Sequence, residues 1–384
     1  MGRSAMKKVM VITGTRADYG ILQPVMEAIR SDNDLELSIL ATGMHLSPQY
    51  GNTVQQIEKD GFQVDFRVDS LLHGGTHGNM ARSIAMGILG MTQAFEQSRP
   101  DVVLLLGDRG EMLAAAIAAT HLNILVAHLH GGEVSGTIDE SVRHSISKLA
   151  HLHLSATQAS AKRLRRMGED HWRVHVVGAP RIETIRRENL PDIEQVLTRY
   201  ELKGIGEYSL FIYHPVTTEA TAVQELEKML LVLMQNSEHV IAIRPNADAG
   251  TEQIASVYER LSEYPNLTTV TSFAPLDYLT LLRHTQVLVG NSSSGIIEAA
   301  SFGVPVINIG SRQDGRERSA NTVDIEESAA ALSQALIQIS SQLFVKDLEN
   351  LHNVYEYPGT SELIVRILKE TPSSREWIQK TISY

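Results

Sequence analysis

Residues 286–310 read QVLVGNSSSGIIEAASFGVPVINIG, and the reading of this stretch decides the fold. An apolar run ends in Gly290 and three serines, Ser292, Ser293 and Ser294; a helix-like segment follows, and a second apolar run closes the unit. Strand, helix, strand in that order makes a parallel pair, since parallel strands need a crossover connection. The serines then sit where the helix begins, at the carboxyl edge of a parallel sheet, where hydroxyls and free backbone N–H groups converge on an anion such as a diphosphate. Glu298 follows on the first turns, placed to accept from vicinal ribose hydroxyls, and GSRQDGRE (310–317) adds Arg312 and Arg316 near the same edge. The competing reading is an N-cap serine beside surface arginines.

The same alternation extends outward in both directions. YSLFIYHP (208–215), HVIAIRPN (239–246) and LTTVTSF (267–273) read as strands at helix-length spacing. So do KKVMVITG (7–14), LELSILATG (35–43), FQVDFRV (62–68), DVVLLLGD (101–108) and NILVAHLH (123–130) in the first half. The pattern weakens only around 181–208, a charged helical stretch interrupted by Pro191. The expected class is therefore α/β, with two doubly wound Rossmann-like domains facing across a cleft. The expected division is 1–185 for the first domain, 186–365 for the second, and 366–384 for a C-terminal helix.

Composition agrees with two cores. The chain has 384 residues, 43% of them hydrophobic and 21% charged, and no repeat or low-complexity tract. A net charge of −11 argues against nucleic acid as the partner, since neutralising phosphates needs clustered Lys and Arg. With no cysteine, thiolate nucleophiles, thiolate metal sites and disulfides are excluded, and a reducing compartment is expected. The N-terminal run before TGT is too short for a signal peptide or a membrane span, so the expectation is a cytoplasmic protein without a membrane partner. The five residues before Met6 are given no role.

Several strand ends carry chemistry. TGTRADYG (13–20) leads into a helix, and Arg16 there is suited to phosphate oxygens in fork geometry. LLLGDRGE brings Asp108 and Arg109 to the sheet edge, although Asp108 also suits a helix cap. FIYHP delivers His214, and AIRPNADAG delivers Arg244, Asn246 and Asp248. HLHGGEVSGTIDESVRH (128–144) is the most crowded segment. His128 and His130 share a strand face by alternation, a spacing that also suits a metal. Thr137 and Glu140 have capping-box spacing for the helix that runs to His151, while His130, Glu133 and Asp139 lie on the loop beside the cleft.

Together these stretches resemble the UDP-N-acetylglucosamine 2-epimerase family, above all its hydrolysing branch and the epimerase domain of the bifunctional animal enzyme. The likeness is carried in order by TRADY (15–19), ATGMHLS (41–47), YGNT (50–53), GDR (107–109), GGEVSGTIDESVRHSISKLAH (131–151), HPVTT (214–218), PNADAG (245–250), GNSSSG (290–295) and GSRQ (310–313). It implies the two-domain fold of many nucleotide-sugar glycosyltransferases, a homodimer or homotetramer, a UDP-sugar substrate, no nicotinamide cofactor and no required metal. It assigns Arg16, Ser292, Ser293 and Arg312 to the diphosphate and Glu298 to the ribose. Proton transfer falls to Asp108, His130, Glu133, Asp139 and His214, and sugar binding or orientation to Asp18, His45, Arg109, Arg143 and Asn246. The implied reaction turns UDP-N-acetylglucosamine and water into N-acetylmannosamine and UDP through 2-acetamidoglucal. UDP-N,N'-diacetylbacillosamine is the alternative substrate; a non-hydrolysing epimerase, a glycosyltransferase and a nucleotide-sugar sensor stand behind both. Two positions depart from the family pattern: His130 stands where the animal and non-hydrolysing enzymes have glutamate, and Leu106 where part of the family has histidine.

Overall fold

The computed structural model describes residues 6–74, 76–187, 189–216, 218, 222–246, 248–372 and 374–382. Thr217 of HPVTT, Ala247 of PNADAG and Glu188 of the charged stretch lie outside the described residues.

Among the described residues the strands form two parallel sheets. The first contains β1 (Lys7–Thr13), β2 (Leu35–Thr42), β3 (Phe66–Val68), β4 (Val102–Leu106), β5 (Leu125–Leu129), β6 (Leu152–Ser155) and β7 (Val174–Val176), in the order β3-β2-β1-β4-β5-β6-β7. The second contains β8 (Tyr208–Ile212), β9 (His239–Ile243), β10 (Leu267–Val270), β11 (Leu288–Gly290), β12 (Val306–Ile309) and β13 (Thr322–Ile325), in the order β10-β9-β8-β11-β12-β13. Each order reverses once, between β1 and β4 and between β8 and β11, and a ligand crevice opens at such a reversal. Strands covered on both faces need no polar alternation, which is why β4, VVLLL, is buried at every position.

Amphipathic helices cover the faces. Helix Arg16–Ser31 starts at Thr15, whose hydroxyl accepts from Asp18 N at 3.1 Å, and buries Tyr19, Leu22, Val25, Met26 and Ile29. Helix Thr360–Glu370 packs beside it on the first sheet although it follows the second in sequence. Its Ile364 and Leu368 share a core with Val9, Val11 and Leu104, and Lys7 Nζ donates to Leu368 O at 2.7 Å. Further on, the Arg173 guanidinium lies 4.1 Å from the ring of Trp172 and 5.2 Å from that of Trp377, and donates to the carbonyls of Glu376 and Trp377. Arg181 joins the two lobes from helix Pro180–Arg187, donating to Gly20 O at 2.8 Å, Pro275 O at 3.2 Å and Glu298 Oε1 at 3.2 Å.

The structure corrects four local readings. The helix of the 128–151 segment spans Ile138–Leu149 and stops before His151, whose ring accepts from Val126 N at 3.0 Å as β6 begins. FQVDFRV is a strand only over Phe66–Val68, because the Asp65 side chain takes Ile39 N and the Ser38 hydroxyl and interrupts regular pairing. β5 ends at Leu129 and His130 turns with φ +59, so His128 and His130 do not share a strand face. Glu140 does not complete a capping box: Thr137 caps Asp139 N at 3.2 Å, while Glu140 accepts from Ser135 N at 2.6 Å.

Candidate active site

The candidate residues lie on loops at the carboxyl ends of the strands: those after β1, β2, β4 and β5 in the first sheet and those after β8, β9, β11 and β12 in the second. After β4 the chain delivers Asp108, whose carboxylate pairs with the Arg143 guanidinium. It is not a helix cap, since helix Gly110–His121 begins at Arg109 without a side-chain cap bond. Arg143 is 1% exposed, and its other arm donates to the Ser135 hydroxyl at 3.2 Å, so it fixes Asp108 from behind. Arg109 lies 3.3 Å from Glu111 and 3.9 Å from Asp248; burial opposes its charge, but these carboxylates outweigh burial and hold it cationic. Asp139, in the first turn of its helix, stands 4.0 Å from Arg312.

Asp108, Arg109, Asp139, Arg312 and Asp248 line one cavity of about 380 Å³ between the two sheets. Its lining also includes the apolar side chains of Leu71, Leu72, Met80, Ile84, Ile138 and Val142. A larger cavity of about 750 Å³ lies between helices Arg16–Ser31 and Thr360–Glu370, but none of the predicted site residues lines it, so size does not select the site.

Asp18 sits behind Arg109. It accepts from Gly14 N at 3.3 Å, and burial pushes its pKa up to about 6, with Arg109 opposing and Glu111 reinforcing. Arg16 keeps a buried Nε without a partner, and burial lowers its pKa against the pull of Tyr200 and Asp277. His45 is 0% exposed and bonds Thr13 at 2.9 Å and Thr53 at 2.6 Å. Burial, helped by Arg16, lowers its pKa to about 3. With both ring nitrogens engaged, His45 braces two loops and offers nothing to the cavity.

The pair His130–Glu133 is not on the lining of this cavity. His130 Nδ1 is 2.6 Å from Glu133 Oε1, and its Nε2 is buried without a partner. Glu133 Oε2 meets Arg316 at 3.0 Å. Burial pushes the Glu133 carboxyl up, but Arg316 and then His130 outweigh it, so the group lies below the usual range. His128 is elsewhere engaged: Nε2 donates to Gly107 O at 2.7 Å and Nδ1 faces the Ser147 hydroxyl at 3.2 Å. Burial lowers its pKa to about 3.

In the second lobe Asn291 is the hub. Its side chain accepts from His214 N at 2.7 Å and donates to His214 O at 2.8 Å. Its carbonyl receives Arg312 at 3.0 Å and Gln313 at 2.9 Å. His214 Nδ1 accepts from Asn246 N at 3.3 Å, and burial, then Arg312 and Arg109, pushes its pKa well below the ordinary value. The Asn246 amide itself turns to Asp248 at 2.5 Å. Ser292 caps the one-turn helix Ser293–Ile297, accepting from Ser294 N at 3.3 Å. Gly290, at φ +138, must be glycine, since a Cβ would lie 2.0 Å from Ile212 O. Glu298, at the C-terminal end of the same turn, accepts from Arg181 through Oε1, while its buried Oε2 has no partner; burial raises its pKa against Arg181.

A family profile described as UDP-N-acetylglucosamine 2-epimerase matches residues 27–369. The chain belongs to the UDP-N-acetylglucosamine 2-epimerase family. It is 41% identical over 379 residues to the UDP-N,N'-diacetylbacillosamine 2-epimerase (hydrolyzing) of Legionella pneumophila, across 98% of this chain and 100% of that one. It is 36% identical to the UDP-N-acetylglucosamine 2-epimerase of Neisseria meningitidis serogroup B, across 88% of each chain. The crystal structure of a Neisseria meningitidis UDP-GlcNAc 2-epimerase bound to UDP-GlcNAc superposes with a TM-score of 0.80 at 18% identity, covering 95% of this chain and 100% of that one. That match establishes the two-domain, glycosyltransferase-like fold.

Among the described residues no helix is long and apolar enough to cross a membrane, and no group of three His, Asp or Glu side chains is placed to hold a metal ion. The sequence reading brought Asp108, Arg109, Asp139 and Arg312 to one cavity, but gave Asn291, Gln313, Arg181 and Glu111 no role. Asn291 had a signal in GNSSSG; Arg181 had none, since RIETIRRE reads as a solvated charge run.

Proposed function

We propose that the protein is a hydrolysing 2-epimerase, which converts a UDP-activated 2-acetamido sugar and water into UDP and the free sugar inverted at C2. The observation that supports this most is the convergence of two carboxylates, Asp108 and Asp139, with two guanidinium groups, Arg109 and Arg312, on one cavity between the sheets. A base removes the C2 proton, the C–H electrons form the C1–C2 double bond, and the C1–O bond breaks with its electrons leaving on UDP. Water then gives its hydroxyl to C1, and a proton returns to C2 on the opposite face. By the bond cleaved, this is an O-glycosyl hydrolysis.

Arg16, Arg312, Ser292 and Ser293 meet the charge that develops on the departing diphosphate. His214 joins this set rather than the proton-transfer set. Burial keeps it neutral, and Nδ1 already accepts an N–H, so Nε2–H is free to donate to an anion. The orphaned Glu298 Oε2 suits a ribose hydroxyl. Proton transfer falls to Asp108, Asp139 and the His130–Glu133 pair, whose unpartnered Nε2 supplies the exchangeable site that a glutamate supplies elsewhere in the family. A cytoplasmic homodimer or homotetramer is part of the proposal, and light scattering on the eluting protein tests the assembly.

Two sugars fit this chemistry. UDP-N-acetylglucosamine, giving N-acetylmannosamine, is the reading the sequence puts first. UDP-N,N'-diacetylbacillosamine is favoured by the full-length Legionella relative and by the apolar side chains of the lining, which suit a C6 methyl and a 4-acetamido methyl better than a hydroxymethyl and a hydroxyl. We take it as the preferred substrate. Proton NMR of products from each UDP-sugar tests the choice: kcat/KM higher by about tenfold or more for the diacetamido sugar is expected. Turnover of UDP-N-acetylglucosamine alone would reverse the preference, and sugar transfer to an acceptor would refute the reaction.

A further inference from the structure

The loop after β5 and the loop after β12 belong to different lobes, yet they are docked. Gly136 N donates to Arg312 O at 3.1 Å, and a Cβ on Gly136 would lie 1.8 Å from the Ser311 carbonyl oxygen, so glycine alone permits this approach. Gly315, at φ +73, is also tight, with Val134 2.9 Å from where its Cβ would be. At this seam Arg316 crosses to Glu133 at 3.0 Å, with both side chains buried. Glu133 uses its other oxygen to hold His130 Nδ1 at 2.6 Å, which leaves His130 Nε2 free for exchange.

An ion pair this deep has to be desolvated at a cost that rivals its attraction, so stability alone is a weak reason for it. Its placement supplies a better one. Arg312, on the same loop as Arg316, contacts the hub beside the diphosphate residues, so whatever seats the nucleotide also seats Arg316. Resting on the reaction proposed above, we infer that Arg316 is a positioning residue that transmits the seating of the nucleotide loop, residues 310–318, to His130 through Glu133.

With Arg316 docked, the guanidinium and the imidazole share the Glu133 carboxylate, and the ring is held with Nε2 ready to exchange a proton. When the loop withdraws, Glu133 loses the guanidinium that holds its second oxygen, and the ring loses the brace that fixes Nε2. Proton transfer is thereby tied to a correctly seated nucleotide. Other groups also face the pair: Tyr355 and His128 interact with Glu133, Arg163 donates to Gly132 O, and Arg143 lies near Arg316. None of these bridges the two loops as Arg316 does.

The test uses the full chain with the UDP-sugar that the wild type turns over. R316Q should lower kcat by about one to two orders of magnitude with KM nearly unchanged. It should also move the limb of the kcat–pH profile governed by the coupled pair upward by about one pH unit, since a cation beside the carboxylate is lost. R316K should restore much of both. Gly136→Ala, which forces the loops apart without removing a charge, should reproduce the loss and the shift. NMR titration of the Glu133 carboxyl reads the same upward shift without turnover, so the inference can be judged even if the wild type releases no UDP, a result that would sink the proposed reaction. Wild-type kcat and profile in R316Q, a loss confined to KM, an R316K variant as impaired and as shifted as R316Q, or an unshifted profile in Gly136→Ala would overturn it. If R316Q does not fold, the last two variants decide.

Discussion

At the scale of single residues, the site separates groups that line the cavity from groups that fix them. Asp108 and Asp139 line the cavity, so Asp108→Asn and Asp139→Asn should each lower kcat by about 10²- to 10⁴-fold while UDP still binds. Calorimetry with UDP beside a turnover assay checks this, and a loss of UDP affinity equal to the loss of rate would contradict it. Arg143 is off the lining and holds Asp108 from behind, with its other arm on Ser135. Buried histidines set the pH response. His45 and His128 titrate near 3 in the fold and His151 near 4, against an ordinary value of 6.5. Below 6.5 the unfolded chain takes up protons that the folded chain refuses, so stability present at neutral pH is lost as pH falls, by up to about 1.4 kcal/mol per pH unit for each ring. Asp18, raised to about 6, acts oppositely between 6 and 3.8, since the fold takes up its proton first. Three histidines outweigh one carboxyl, so the urea midpoint should fall between pH 7 and pH 5; a midpoint that rises would show that the histidines do not titrate as described.

At the scale of elements, what the sequence revealed depended on length and periodicity. Long apolar runs such as VVLLL announced their strands, while β6, β7 and β13 escaped notice because they have three or four residues and carry histidine, threonine or aspartate. The strand-end loops were legible because the topology of a parallel sheet puts loop side chains at one edge, and the structure places Asp108, Arg109, Asp139 and Arg312 on the lining of one cavity. The orientation of His130 was not legible, since it turns on β5 ending at Leu129 and on a positive φ that no propensity signals. Nor was the Arg316–Glu133 pair, which joins residues 183 positions apart through a glycine-tight seam. The helix that returns to the first lobe makes its own prediction. Leu368 is fully buried among Val9, Leu22 and Val25, so Leu368→Ala should cost about 2–5 kcal/mol in chemical denaturation, and a cost below about 1 kcal/mol would mean that the helix is not part of that core.

At the scale of the whole molecule, residues of both lobes line one cavity, and the proposed reaction divides the work between them: the second lobe would hold the nucleotide through Arg312 and Glu298, and the first would supply the acids Asp108 and Asp139. Net charge of −11 is compatible with an anionic substrate because two guanidinium groups, Arg109 and Arg312, line the cavity. The central claim is elimination and re-addition at C1 and C2, and isotope tracing tests it most directly. With the preferred UDP-sugar in D₂O containing ¹⁸O-labelled water, NMR and mass spectrometry should find the free C2 epimer carrying deuterium at C2 and UDP without ¹⁸O. UDP that carries ¹⁸O, or a released sugar that keeps its original C2 proton and configuration, would contradict the account.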